Sequence, residues 1–185
     1  MKILYIGWDF DGVCANNAKL RAEVARDNFK VRVPEEDTTE EGFLSRGFTD
    51  EEYLKMKKIV YSTYDILPYQ GFLTCIKQLT SEGHHHRIIS HRTKEPGLKI
   101  INNFVSSYKL ETDIICTDST PKSNFCAGLD VFIDDRQRHL IDLKGKVENL
   151  FLFRRGYNIK ESLEKGIDDV FEFGELYKKI IRIAK

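Results

Sequence analysis

The sequence predicts an α/β fold: a doubly wound parallel sheet with a small helical domain inserted after the first strand. Three observations carry that prediction. Short apolar runs recur along the chain, and most are separated by stretches with helical spacing, the pattern of a parallel sheet with right-handed crossovers. The alternation is broken once, over residues 14–68, where no strand-like run is present. Four of the chain's segments end in, or lead to, polar residues that a parallel sheet gathers at one edge.

The first run, residues 3–8, reads as a buried strand and runs straight into Asp9-Phe10-Asp11-Gly12. Residues 16–29 have helical character, with Leu20, Val24 and Ala25 on one side. Thr38-x-x-Glu41 and Thr49-x-x-Glu52 both fit a capping box, in which a threonine oxygen and a glutamate close the first helical turn. The first of these helices is short and stops near Gly47. The second carries Tyr53, Met56, Ile59, Val60 and Thr63 at helical spacing. Phe72, Cys75, Ile76 and Leu79 form a helical stripe ended by Gly83. Residues 87–89 make a strand ending at Ser90. Pro96 opens a helix whose face is Leu98, Ile101, Phe104, Val105 and Tyr108. Residues 113–116 are the next strand, and Pro121 opens a short helix. Residues 131–133 form a strand ending in Asp134-Asp135, followed by a helix through Leu140 and Leu143. Residues 147–153 read as the last strand, and residues 174–184 as the last helix, with its Lys and Arg concentrated toward the C-terminal half. The reading divides the chain into a core of residues 1–13 and 69–185 and a helical cap of residues 14–68.

At 185 residues and 41% hydrophobic content, the chain is one domain with an insertion. Twenty-nine basic residues balance twenty-nine acidic ones. Duplex nucleic acid is not an expected partner, while a small phosphorylated ligand needs only a few local cations. The sequence has no signal-peptide pattern and no apolar run of membrane length, so a cytoplasmic protein without membrane contact is expected. Cys14, Cys75, Cys116 and Cys126 form no Cys-x-x-Cys pair and read as free thiols in a reducing compartment.

The strand ends carry the chemistry. Asp9 and Asp11, two residues apart, repel each other at the sheet edge and call for a cation such as Mg2+. Taken singly, Ser90 fits a turn cap, and Asp134-Asp135 fits a helix cap. Lys122 breaks a local rule: with Thr120 as N-cap and Pro121 in the first helical position, a cation there opposes the helix dipole. An anion held jointly by Lys122 and free backbone N–H groups reverses that penalty.

Asp9-Phe10-Asp11-Gly12-Val13, Ile88-Ile89-Ser90, Pro121-Lys122 and Phe132-Ile133-Asp134-Asp135 together resemble the haloacid dehalogenase superfamily of phosphohydrolases, in the family's order and at its sheet positions. The resemblance covers residues 1–13 and 69–153, and the insertion lies where that family places its C1-type helical cap. It implies a Mg2+-dependent phosphomonoesterase. Asp9 would be the nucleophile and Asp11 the general acid and base. Ser90 and Lys122 would hold the phosphoryl oxygens. Asp9 and the backbone carbonyl of Asp11 would ligate the metal, and Asp134 and Asp135 would hold it directly or through water. Dehalogenases of the superfamily lack the second aspartate, so Asp11 favours phosphoryl transfer to water, with a phosphomutase as an alternative.

Within the superfamily the chain is most similar to 5′(3′)-deoxyribonucleotidases and related small nucleotidases. The short cap, Ile133-Asp134-Asp135-Arg136, and the run from Leu152-Phe153 to Tyr157-Asn158 after the last strand carry that likeness. A nucleoside monophosphate is the substrate it implies. Ser90-His91-Arg92 departs from the Thr-Ser-Pro of the mammalian enzymes. Ser-x-Arg is also similar to phosphatase domains of polynucleotide kinases, which implies a polynucleotide 3′-phosphate end or another small phosphometabolite as the alternative. His91 and Arg92 join the substrate-binding set. In the cap, Phe43, Arg46 and Phe48 lie near where the cap could face the site: the two Phe fit cap packing more readily, Arg46 fits a ligand contact, and Phe43 and Arg46 are the residues that would meet a base and its ribose. A non-catalytic binding protein of the same fold is the rival reading. His84-His85-His86 reads as a solvated strand entrance, and the acidic stretch from Glu35 to Glu41 as a solvated cap surface.

Overall fold

The computed structural model describes residues 1–185 except Tyr64 and Ser119. Six strands form one parallel sheet: β1 (Tyr5–Trp8), β2 (His85–Ser90), β3 (Asp113–Cys116), β4 (Val131–Asp134), β5 (Asn149–Phe153) and β6 (Asp168–Val170). Their order is β3-β2-β1-β4-β5-β6, and every pairing is parallel. The chain leaves β1 toward β2 on one side and returns from β3 to β4 on the other. The crevice between β1 and β4 is therefore a topological switch point, where open α/β sheets place their ligands.

Helices α4 (Phe72–Ser81), α5 (Lys94–Tyr108) and α7 (Phe173–Ile183) cover one face of the sheet. Ile6 and Trp8 from β1 meet Phe72, Ile76, Phe104, Leu176 and Ile180 there, all buried. The other face packs Ile89, Phe132, Leu150 and Leu152 against Leu140 of α6 (Gln137–Ile141) and against Leu143. Gly7 makes this second layer possible. A Cβ at Gly7 would sit 2.3 Å from the Phe132 ring and 2.6 Å from Leu129, so only glycine lets the ring cross β1.

Residues 17–62 supply α1 (Asn17–Phe29), α2 (Glu40–Leu44) and α3 (Asp50–Ser62), with a separate apolar cluster of Val24, Ala25, Val33, Phe43, Phe48, Tyr53, Met56 and Val60. The capping box at Thr49 and Glu52 is present in full. The other capping residue is displaced by one: Thr39, not Thr38, caps α2 by accepting from Gly42 N, while the Thr38 hydroxyl donates to Glu35 O. Among the described residues, no helix is long and apolar enough to cross a membrane.

Three expectations need correction. Residues 149–153 are not the last strand; β6 follows, a three-residue edge strand reading Asp-Asp-Val that carries no apolar run. Pro121 opens a single 3-10 turn, Lys122–Asn124, not a helix, so Lys122 faces no helix dipole. The histidine run is not solvated: His84 and His86 are buried and only His85 is exposed. Leu4 N donates to His84 Nδ1 at 3.1 Å, and Trp8 Nε1 donates to His86 Nδ1 at 3.1 Å. An imidazole that accepts at Nδ1 carries its proton on Nε2, which leaves no lone pair there for a metal.

Burial, with the neighbouring histidines, pushes His86 down to about 4 from its ordinary 6.5. Its folded-state value is depressed, so its share of stability is complete above pH 6.5 and is lost as pH falls toward 4, where the unfolded chain takes the proton first. The loss approaches about 3 kcal/mol by pH 4. His86→Gln keeps an acceptor for Trp8 and should flatten the fall in melting temperature between pH 7 and pH 4. An unchanged slope would show that His86 does not set it.

Candidate active site

The loop after β1 is held from several sides. Asp9 N donates to Ile133 O at 2.8 Å, which extends the β1–β4 ladder and places Asp9 on the switch-point seam. Ala15 N returns to Phe10 O at 2.8 Å and folds the loop back on itself. Gly12 has φ +96°, and a Cβ there would lie 2.4 Å from Asp135 Oδ2, so glycine is required twice over. Arg155 Nε donates to Gly12 O at 2.7 Å, with its guanidinium carbon 3.4 Å from the Tyr69 ring centre and 4.1 Å from that of Phe153.

The end of β4 meets this loop. Lys122 Nζ donates to Asp9 Oδ1 and to Asp134 Oδ2, both at 2.6 Å, with all three side chains buried. Asp134 Oδ1 also accepts from Arg136 N at 2.8 Å, and His139 Nδ1 lies 3.2 Å from both its oxygens. The Asp135 carboxylate accepts from the Tyr157 hydroxyl, and its backbone carbonyl accepts from Asn158 Nδ2 at 2.7 Å.

Burial pushes Asp9 well above the usual carboxylate range. Lys122 pulls it back, while Asp134, Asp135 and Asp11 add to the rise. Asp135 is raised by burial and then by Asp134. Asp134 is held below the range: burial acts against its charge, but Lys122 and His139 outweigh it. Lys122 is raised in spite of burial, because Asp134 and Asp9 flank it.

Each of Asp9, Asp134 and Asp135 offers one carboxylate oxygen, and these oxygens lie within 4.8 Å of one another. Three carboxyl groups share one ammonium in a buried pocket, and Asp9 and Asp135, both raised, ionise more easily beside a second cation. An all-oxygen donor set with that balance fits a hard divalent cation such as Mg2+.

Asp11 stands apart from this cluster. Arg92 grips its carboxylate with Nη2 at 2.8 Å and Nε at 3.0 Å, and Asn17 Nδ2 donates to the same carboxylate. Burial works against the charge, yet Arg92, with help from Arg21 and Asn17, holds Asp11 below its ordinary value. Arg92 lies 5.2 Å from the Phe10 ring centre and 5.0 Å from that of Tyr61. Ser90 is fully buried and its Oγ accepts from Arg92 N at 3.2 Å. His91 Nδ1 lies 2.9 Å from the Thr117 hydroxyl. Burial, then Lys122 and His139, push His91 down to about 4, so it is neutral at pH 7.

A cavity of about 640 Å3 opens over this edge, within the range of small-molecule sites. Asp9, Asp11, His91 and Asp135 form its floor. Asn17 and Arg21 of α1, residues 38–41, and Tyr53, Lys57 and Tyr61 of α3 form its roof, with Arg136, Arg138 and Tyr157 at the side.

The structure thus gathers Asp9, Lys122, Asp134 and Asp135 into one cluster and sets Asp11, Ser90, His91 and Arg92 beside it. It does not bring Phe43 or Arg46 to the cavity. Phe43 is fully enclosed among Phe48, Tyr53 and the rest of the helical cluster. Arg46 pairs with Asp37 and donates to Gly42 O at 3.0 Å. Arg92, expected on the substrate, is committed to Asp11. Thr38, Thr39, Glu40 and Glu41, expected as a helix start and a solvated acidic surface, line the cavity. The sequence reading did not mark Asn17, Arg21, Lys57, Tyr61 or His139 as site residues. The available signals were Asn17 and Arg21 four apart, and Tyr53, Lys57 and Tyr61 at four-residue spacing, each a single helix face.

No protein-family model matches the chain, and no curated protein matches it in sequence. Solved structures do match in shape. A protein from Clostridium acetobutylicum, described as a predicted phosphatase, superposes with a TM-score of 0.63 at 14% identity, covering 98% of this chain and 100% of the other. One from Haemophilus somnus 129pt, described as a predicted phosphoglycolate phosphatase, gives 0.60 at 15% identity, over 97% and 99%. A haloacid dehalogenase-superfamily hydrolase from Ehrlichia chaffeensis gives 0.57 at 11% identity, over 100% of both chains. Identities this low speak to architecture, and the strand order and helical layers found here agree with it: the chain has the haloacid dehalogenase-type fold.

Proposed function

We propose that this protein is a Mg2+-dependent phosphomonoester hydrolase that works through an aspartyl-phosphate, with a nucleoside phosphate as substrate. The observation that carries the reading is Asp9, seated with Lys122, Asp134 and Asp135 at the β1–β4 crevice, with Asp11 two residues on and separately clamped.

In this reading Asp9, Asp134 and Asp135 hold Mg2+, with the Asp11 carbonyl. When bound, the ion offsets the charge of the carboxylates and of the phosphoryl group. Lys122 supplies the second positive charge, and Ser90 and the end of β2 complete the phosphoryl seat. A carboxylate oxygen of Asp9 attacks phosphorus, and the bond to the leaving oxygen breaks. Asp11 gives that oxygen its proton. In the second step Asp11 takes a proton from water as the water oxygen attacks phosphorus, which frees Asp9 and releases inorganic phosphate. Arg92 keeps Asp11 ionised in the resting site, the form the second step uses. For the first step the anionic substrate draws Arg92 off Asp11, which then takes up a proton from solvent or from the substrate monoanion and passes it to the leaving oxygen.

Residues 14–68 act as the cap in this proposal. With Phe43 inside its core, the aromatic rings on the cavity wall are Tyr53, Tyr61 and Tyr157, each with a cation (Lys57, Arg92 and Arg136) over one face, so a base would use the other. A base stacked on an aromatic ring gains about 1–3 kcal/mol.

Phosphate release from p-nitrophenyl phosphate and a panel of phosphate esters tests the proposal. Release is expected with Mg2+, abolished by EDTA and restored by added Mg2+, with nucleotides ahead of sugar phosphates. Full activity in metal-stripped protein would remove the metal from the account. A sugar phosphate ahead of all nucleotides would leave the reaction standing and overturn the substrate.

A further inference from the structure

Arg21 is half-buried in α1, and its guanidinium reaches two neutral acceptors: Nη1 donates to Thr38 O at 3.0 Å and Nη2 to the Tyr61 hydroxyl at 3.2 Å. Its Nε is enclosed with no acceptor. Among the described residues, no carboxylate lies within ion-pair distance of Arg21, nor of Lys57, which faces the same cavity from α3. Asp11 acts on Arg21 through space but is already clamped by Arg92, and a guanidinium that only tied helices together would ordinarily find a carboxylate of its own, because an enclosed charge without a close counter-charge is costly. Glu40 and Glu41 line the cavity too, but both are solvent-exposed and neither pairs with Arg21. Two further cations line the cavity: Arg136, already taken up by Asp135 at 3.6 Å and by the Tyr157 ring, and Arg138, which is solvent-exposed.

Position adds to charge. Asn17, one turn before Arg21 on the same face of α1, touches Asp11. The Cβ of Arg21 lies about 5–6 Å further along α1 than that of Asn17. Its guanidinium, tied to Thr38 and Tyr61, lines the cavity beyond Asp11, on the side open to a leaving group, while Lys122 serves the phosphoryl group.

From this we infer that the cavity takes a phosphomonoester whose leaving group carries a second anionic group, a phosphate or a carboxylate, received by Arg21 and Lys57. The inference rests on the phosphatase reading and narrows its substrate class.

Matched esters test it, each pair differing in the second anion. One pair is adenosine 3′,5′-bisphosphate against the faster of adenosine 3′- and 5′-monophosphate; the other is 3-phosphoglycerate against glycerol 3-phosphate. With Mg2+ present, the doubly anionic member of at least one pair should lead in kcat/KM by about ten-fold or more, the value of a charge-assisted contact. The pair that responds identifies the second anion as phosphate or carboxylate. Arg21→Gln should bring that ratio toward one, and Arg21→Lys should keep part of it. Ratios near one in both pairs, measured on the parent protein with no variant involved, would overturn the inference while leaving the phosphatase intact. Equal losses on both members of a pair in Arg21→Gln would make Arg21 a structural tie and overturn it as well. No phosphate release from any ester, p-nitrophenyl phosphate included, would instead remove the phosphatase reading, and this inference with it.

Discussion

Asp9→Asn should lose turnover by at least about 10^4-fold while the protein stays folded. An amide oxygen is a poor nucleophile, and nothing else at the crevice replaces it. The substitution is nearly isosteric, and the site tolerates it electrostatically. Burial and three neighbouring carboxylates already work against a charge at Asp9, and Lys122 keeps Asp134 as a partner. In energy terms the loss amounts to about 5 kcal/mol of transition-state stabilisation. Phosphate release checks the rate, and circular dichroism with a thermal melt checks the fold. A variant that turns over at the parent's rate would place the nucleophile elsewhere.

Lys122→Met should be the most destabilising single change at the site. Lys122 is almost fully enclosed and lies 2.6 Å from each of two buried carboxylates. Methionine fills much of the same space but leaves Asp9, Asp134 and Asp135 without a cation. Breaking a buried pair from one side costs about 3–5 kcal/mol, because the orphaned charge stays behind. Urea unfolding in EDTA should show that loss. Added Mg2+ should recover more stability in Lys122→Met than in the parent, since binding to the folded state alone shifts the equilibrium and the variant's pocket is the more negative. Activity should remain very low even with Mg2+, because the phosphoryl group loses its second cation. An unchanged midpoint in EDTA would mean that the carboxylates are discharged without Lys122.

Much of this was legible in the sequence, for identifiable reasons. The strands that build the crevice are apolar runs that stop at charged or hydroxyl residues, a pattern that marks both a buried strand and its carboxyl end. β6 was not legible: an edge strand needs little burial, and Asp168-Asp169-Val170 offers no apolar run to detect. The roof of the cavity was misread because spacing gives a helix face but not what that face meets. Phe43 had the right chemistry for a base, yet α2 is five residues long and turns it against Phe48 and Tyr53. Tyr53 belongs to the helical spacing of α3 and serves two places: its ring closes the helical cluster while it borders the cavity, as an aromatic ring with a polar tip allows. His84 and His86 misled in the opposite sense. Their residue type implied solvent, but each supplies an acceptor that a buried N–H of β1 or its flank requires.

The covalent route through Asp9 is the centre of the account, and trapping it is the most direct measurement. Quenching the Mg2+-loaded protein with borohydride during turnover of a saturating ester should reduce an acyl phosphate to an alcohol. Peptide mass spectrometry should then find homoserine in place of aspartate at position 9, and only when substrate is present. Unmodified Asp9 under full turnover, or the modification at another carboxylate, would contradict it.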